Sequence, residues 1–269
     1  MVLSALLRFI YPPPSNIFVT AMSMISIVSL GNSGIMEVKG KHMQYSKFWN
    51  FGTDQKISAD KKAKISSKTG MIIAYTPAFL AGVGSFVLLP VGDFRFDLLR
   101  SAITIHYFKR IFEVLFVHKF SGWTDTEAAI TISLSYFINS VMMIYSHYLI
   151  QGFPEPQTDL KYFGALLFLV GISGNFYHHY LLSQLRIKGD KNYKIPQGGL
   201  FSLVICPHYL FEIMGFLGIS CISQTLYSFC FTLGTTFYLM GRSYATRKWY
   251  QSKFEDFPTH VKALIPYIF

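Results

Sequence analysis

The segment HYFKRIFEVLFVHKFSG, residues 106–122, sets ionisable groups among apolar ones at helical spacing. His106, Arg110 and Glu113 share one face, because residues three and four apart stack on a helix. Arg110 and Glu113 are placed to form an ion pair. Tyr107 lies about 100° around the same helix. A second segment, GNFYHHYLLSQLR (174–186), stacks Asn175 on His179 and ends on Arg186, while His178 points elsewhere. A third, KIPQGGLFSLVICPHYLFEIMG (194–215), opens on Lys194 and carries Gly198 and Gly199, whose backbone N–H groups suit a phosphate. It also puts His208 and Glu212 one turn apart, with Pro207 expected inside a span. A phenol is a protonated donor at neutral pH, and guanidinium and ammonium groups hold phosphates. Other chemistries lack a signal: there is no GxSxG, HExxH, P-loop or GxGxxG, and no glycosidase-like carboxylate pair. Cys206, Cys221 and Cys230 form no CxxC and lie in apolar stretches, so they read as packing residues, and no metal site is expected.

The elements that carry these groups are apolar. Of 269 residues, 51% are hydrophobic and 14% charged, and mean hydropathy is +0.35. A soluble domain carries about 25% charged residues. So few charges cannot cover a globule, whereas lipid solvates an apolar exterior. The composition also excludes disorder and a disulfide scaffold. The net charge of +10 is carried mostly between apolar runs, the pattern of cytoplasmic loops rather than of a nucleic-acid binder.

The fold expected is all-α, a polytopic membrane protein of about seven transmembrane helices. The spans are Ile17–Met36, Gly70–Pro90, Leu98–Val117, Ala128–Ile150, Tyr162–Leu182, Leu200–Ser220 and Leu226–Met240. Basic loops after spans one and five and a basic tail place the C-terminus in the cytosol and the N-terminus on the lumenal side. Met1–Tyr11 makes a poor signal peptide and is expected to form a short interfacial helix. The chain reads as one membrane domain, 1–269, with a Lys-rich cytosolic loop over 37–68 attracted to anionic lipid.

Polar groups inside spans are costly and mark function by default. The bland alternatives are snorkelling by Lys109 and Arg110 at a helix end, and a purely structural His208–Glu212 pair. Glu212, deep in a span, is expected to pair with a histidine or with Arg242. Seven spans alone would equally suit a receptor or channel.

Together, HYFKR at 106–110, GNFYHHYLLSQLR, KIPQGGLF at 194–201 and KFEDFPTHVKALIPYIF at 253–269 resemble the steroid 5-alpha-reductase family, which includes the very-long-chain trans-2-enoyl-CoA reductases. The resemblance implies an oxidoreductase of the endoplasmic reticulum membrane. Such enzymes use NADPH to reduce a double bond conjugated to a carbonyl in a hydrophobic small-molecule substrate. The C-terminal region, 118–269, would hold the cofactor.

Carried over by residue, Tyr107 matches the tyrosine that donates to the substrate carbonyl. Asn175, Arg186, Arg242 and Tyr250 match cofactor-contacting positions, as does Glu212. Lys194 stands where an arginine is common. His179 replaces an aspartate and His208 an asparagine. In YTPAF, residues 75–79, Tyr75 replaces a glutamate that contacts the steroid, and becomes a second candidate donor. The FEVLFVHKFSG stretch leans toward the enoyl-CoA reductases, although the residues ahead of Ile17 leave no room for their ubiquitin-like domain. Steroid, enoyl-CoA and polyprenal substrates all stay open. The rivals are an isoprenylcysteine-type membrane methyltransferase and a non-catalytic membrane protein.

Overall fold

The computed structural model describes residues 8–43, 48, 63–120, 122–185 and 193–269. Among these, seven α-helices follow in order: α1 (Ile17–Val38), α2 (Ser67–Leu88), α3 (Phe94–Phe112), α4 (Thr126–Tyr148), α5 (Lys161–Gln184), α6 (Pro207–Ser223) and α7 (Leu226–Lys253). Side chains cap several starts and satisfy N–H groups that have no partner within the helix. Asn16 accepts from Phe18 N at 3.0 Å, Ser66 from Thr69 N at 3.1 Å, and Asp93 from Phe96 N at 2.7 Å. Two three-residue strands, β1 (Lys64–Ser66) and β2 (Trp123–Asp125), pair antiparallel with Ile65 opposite Thr124. They are a small addition to the all-helical expectation.

Helices α1, α2 and α4 are each long and apolar enough to cross a membrane. Large apolar side chains such as Val28, Leu80, Val87 and Leu166 face outward, as they do where lipid replaces water. The chain is a helical membrane protein. Its tightest contacts are α5 on α6 and α1 on α7. Gly164 and Gly171 of α5 meet the backbone of α6 at Gly218 and Gly215, and Gly34 of α1 meets α7 near Phe237 and Gly241. A Cβ at Gly34, Gly164 or Gly171 would collide with facing backbone, so small residues set the helix separation.

Three sequence expectations are corrected. Pro207 is not within a span but at the first turn of α6, where its missing N–H costs nothing. The residues before it stay out of the helix because the C-terminal tail pairs with them: Ile205 N donates to Lys262 O at 2.9 Å and Cys206 N to Ala263 O at 3.2 Å. The proline inside a helix is Pro77 of α2. The last helix runs to Lys253 rather than Met240, because Ala245, Trp249 and Tyr250 bury against Phe48, Ile205 and Phe257. Arg8–Tyr11 is not helical; Tyr11 N donates to Gln224 O at 2.9 Å. Residues 1–7 of the expected interfacial helix, and most of the Lys-rich loop, lie outside the described residues.

Candidate functional site

A cavity of about 340 Å³ opens between the helices. Its wall takes Ser67, Met71 and Tyr75 from α2, Arg110 from α3, and His118 just beyond it. Tyr136 of α4, His179 of α5, Tyr193 and Lys194 of the following segment, His208 and Glu212 of α6, and Arg242 and Tyr250 of α7 complete it. Seven of the ten residues singled out from the sequence therefore meet on one cavity: Tyr75, His179, Lys194, His208, Glu212, Arg242 and Tyr250.

Arg110 organises one end. Its Nη1 donates to Glu113 Oε2 at 2.9 Å, the i,i+3 pair the spacing foretold. Its Nη2 donates to the Tyr75 hydroxyl at 2.5 Å, and the guanidinium lies 4.8 Å from the Tyr75 ring centroid. Glu113 is fully buried and also receives Lys109 Nζ at 2.7 Å and His179 Nδ1 at 3.0 Å. Burying charge is tolerable only with such pairing. Asn175 is not on the wall. It accepts from Lys109 and donates to His208 O at 2.7 Å, which ties α5 to α3 and to the start of α6.

Tyr107 also stands behind the wall. It is 1% exposed, and its ring centroid is 5.6 Å from that of Tyr136, which in turn stacks on Tyr75 at 5.6 Å. Its hydroxyl faces the hydroxyl of Ser140 on α4, and neither has a further hydrogen-bond partner among the described residues. A buried hydroxyl without a partner costs about 1–3 kcal/mol.

At the other end, Arg242 does not pair with Glu212. Its Nη1 donates to Glu37 Oε1 at 2.8 Å, and its guanidinium lies 4.1 Å from the Phe48 ring centroid. Glu37 is not a loop charge: it closes α1, is 1% exposed, and also holds His42 Nδ1 at 2.7 Å. Glu212 makes no hydrogen bond among the described residues, but its carboxylate shares the field of Lys109 and Arg110. Arg186 lies outside the described residues.

The Gly198–Gly199 loop is pinned rather than open. His178 Nδ1 donates to Gly174 O at 2.7 Å, so its Nε2 accepts from Leu200 N at 3.1 Å. Gly199 has φ +52, and a Cβ there would meet the His178 ring. Sequence reasoning passed over His178, and also missed His118, Tyr136 and Glu37. The signal for Glu37 was a lone carboxylate closing an apolar run.

Known proteins extend these observations. A family model described as 3-oxo-5-alpha-steroid 4-dehydrogenase matches residues 124–269. The steroid 5-alpha-reductase DET2 of Gossypium hirsutum is 33% identical over 205 residues, covering 69% of this chain and 76% of that protein. The chain belongs to the 3-oxo-5-alpha-steroid 4-dehydrogenase family. Within it, 3-oxo-5-alpha-steroid 4-dehydrogenase 2 of Homo sapiens is 26% identical over 250 residues, covering 91% of this chain and 97% of its own length. The very-long-chain enoyl-CoA reductase of Dictyostelium discoideum is 32% identical over 166 residues, 61% of this chain and 55% of that protein. The chain is thus an oxidoreductase acting on a CH–CH bond, and the likeness spans both branches that the sequence motifs suggested.

Proposed function

We propose that the protein reduces, with NADPH, the carbon–carbon double bond of a lipid enone or enoyl thioester. It works as a seven-span protein of the endoplasmic reticulum membrane, N-terminus lumenal and C-terminus cytosolic. The donor set of the cavity fits a dinucleotide. Lys194, Arg242 and Lys119 bring positive charge, Tyr193 and Tyr250 bring aromatic surface, and the wall between them is largely apolar. Arg186 and Asn175 join this set by resemblance. Bound there, NADPH supplies hydride to the beta carbon, which leaves negative charge developing on the carbonyl oxygen.

The chain's own part is to meet that charge and to exclude water. The observation that carries the reading is the Tyr107 hydroxyl, fully buried beside the Ser140 hydroxyl of α4 and meeting no carbonyl or carboxylate among the described residues. A substrate carbonyl provides what it lacks. Tyr75 stands on the wall with Arg110 donating to its oxygen, which strengthens it as a hydrogen-bond donor. A preorganised phenol on the wall, with a second directly behind it, stabilises an oxyanion far better than water does. The proton for the alpha carbon comes from one of these hydroxyls.

Purified protein in detergent, given NADPH with a 3-oxo-delta-4 steroid, a long-chain trans-2-enoyl-CoA or a polyprenal, tests the reading. Cofactor oxidation with one of the three is expected. A melting temperature raised by S-adenosylmethionine and not by NADPH would instead favour a methyltransferase.

A further inference from the structure

Glu113, His118 and His179 present donor atoms within 4.8 Å of one another. Residues 113 and 118 are five apart, which on an α-helix sets them about 140° apart around the axis. Here Glu113–Val117 forms a π turn, with His118 N donating to Glu113 O at 2.7 Å. That wider turn swings His118 round toward the face Glu113 occupies, and π turns gather at functional sites. The grouping suits a metal ion poorly, because Lys109 and Arg110 already lie on the Glu113 carboxylate.

We propose that Glu113, His179 and His118 form a proton relay that recharges the phenols of the cavity. The inference rests on the reductase reading. Saturating the double bond takes up one proton besides the hydride. The phenol that gives it becomes a phenolate beside Arg110, which stays protonated and holds the charge. A new proton must then reach the phenolate while substrate and cofactor fill the cavity. His179 Nδ1 lies 3.0 Å from Glu113 Oε1 and 3.1 Å from Arg110 Nη1, contacts that fix the ring on the cavity wall, where the imidazole exchanges protons with the cavity. His118 is half-buried, and its ring centroid lies 4.9 Å from that of His179. His118 takes a proton from solvent and passes one to His179, which passes one through cavity water to the phenolate. Each histidine ends the cycle as it began. The other charged or titratable groups facing His179 are Lys109 and Arg110 of α3, His208 of α6 at 5.3 Å between ring centroids, and His178 of its own helix.

The test compares full-length wild type with His118→Ala in detergent, using whichever of the steroid enone, the enoyl-CoA and the polyprenal the wild type reduces. The variant is expected to lose on the order of 10-fold in kcat, with a larger solvent deuterium isotope effect. NADPH affinity by fluorescence titration and the melting temperature should hold, and added imidazole should restore most of the rate. Unchanged kcat overturns the relay, as does a loss that imidazole leaves in place or one matched by weaker NADPH binding. If the wild type oxidises NADPH with none of the steroid enone, the enoyl-CoA and the polyprenal, the reductase reading falls first and the relay with it.

Discussion

Helix α3 carries an arginine near each end, Arg95 fully buried and Arg110 half-buried, and the two are used differently. At its start, Arg95 donates from Nη1 to Ile222 O at 3.0 Å and Gln224 Oε1 at 2.7 Å, and from Nη2 to Glu155 at 2.8 Å and Asp159 at 2.7 Å. Tyr11 covers it, with the guanidinium 5.6 Å from the ring centroid. Gln224, in a left-handed conformation at φ +49, also bonds Phe9 O and Thr158 O. These contacts gather four separate segments, and no residue of this corner lines the cavity. At the other end, Arg110 has a partner set just as dense, but it faces the cavity, and Tyr107 one turn earlier has an unmet hydroxyl. A buried charge held by carboxylates and carbonyls closes a fold. An unmet polar group beside a cavity is a cost that a ligand can remove.

The sharpest way to break this contrast is Tyr107→Phe. Turnover should fall about 10²–10³-fold, as for loss of an oxyanion donor. NADPH affinity should hold, and the melting temperature should change little, because the lost hydroxyl meets only the Ser140 hydroxyl in the resting protein. Arg95→Ala should show the converse. Stripping a buried cation from its carboxylates costs about 3 kcal/mol or more in stability, read as a lower melting temperature. The kcat per folded molecule should change less than about twofold, a surface-like effect on chemistry.

The smallest effect sharpens the contrast with pH. Burial alone raises the Asp159 carboxyl, but hydrogen bonds from Lys161 and the Arg95 guanidinium outweigh it and hold it below the ordinary carboxylate range. Its contribution to stability is therefore present at neutral pH and lost as pH falls through that lowered value. Asp159→Asn should melt below wild type at pH near 7, and the gap should close in acid below about pH 3. A gap that persists there would contradict the ionic clamp.

The sequence made short-range features legible and left long-range ones hidden. Arg110 and Glu113 pair as their spacing implies, because the helix alone decides it. Most of the expected spans coincide with helices to within a few residues, because long apolar runs mark them in the sequence. The start of α6 was misplaced, since hydropathy does not register the tail pairing that keeps residues 203–206 out of the helix. Glu37 was counted as a loop charge because its partner, Arg242, is 205 residues away. The π turn that swings His118 inward has no composition signature. Tyr75 came to notice through its place in YTPAF, yet its contact with Arg110 needs two helices to pack. Resemblance named Arg242 and Tyr250, and packing sets both on the cavity wall.

The most direct measurement follows NADPH oxidation and loss of the substrate double bond together, in purified wild type and Tyr107→Phe, across the steroid, enoyl-CoA and polyprenal panel. The account predicts equal amounts of cofactor oxidised and double bond reduced for one class, with the variant slowed at least about 100-fold while still binding NADPH. A wild type that reduces none of the three, or a variant that turns over as fast, would contradict it.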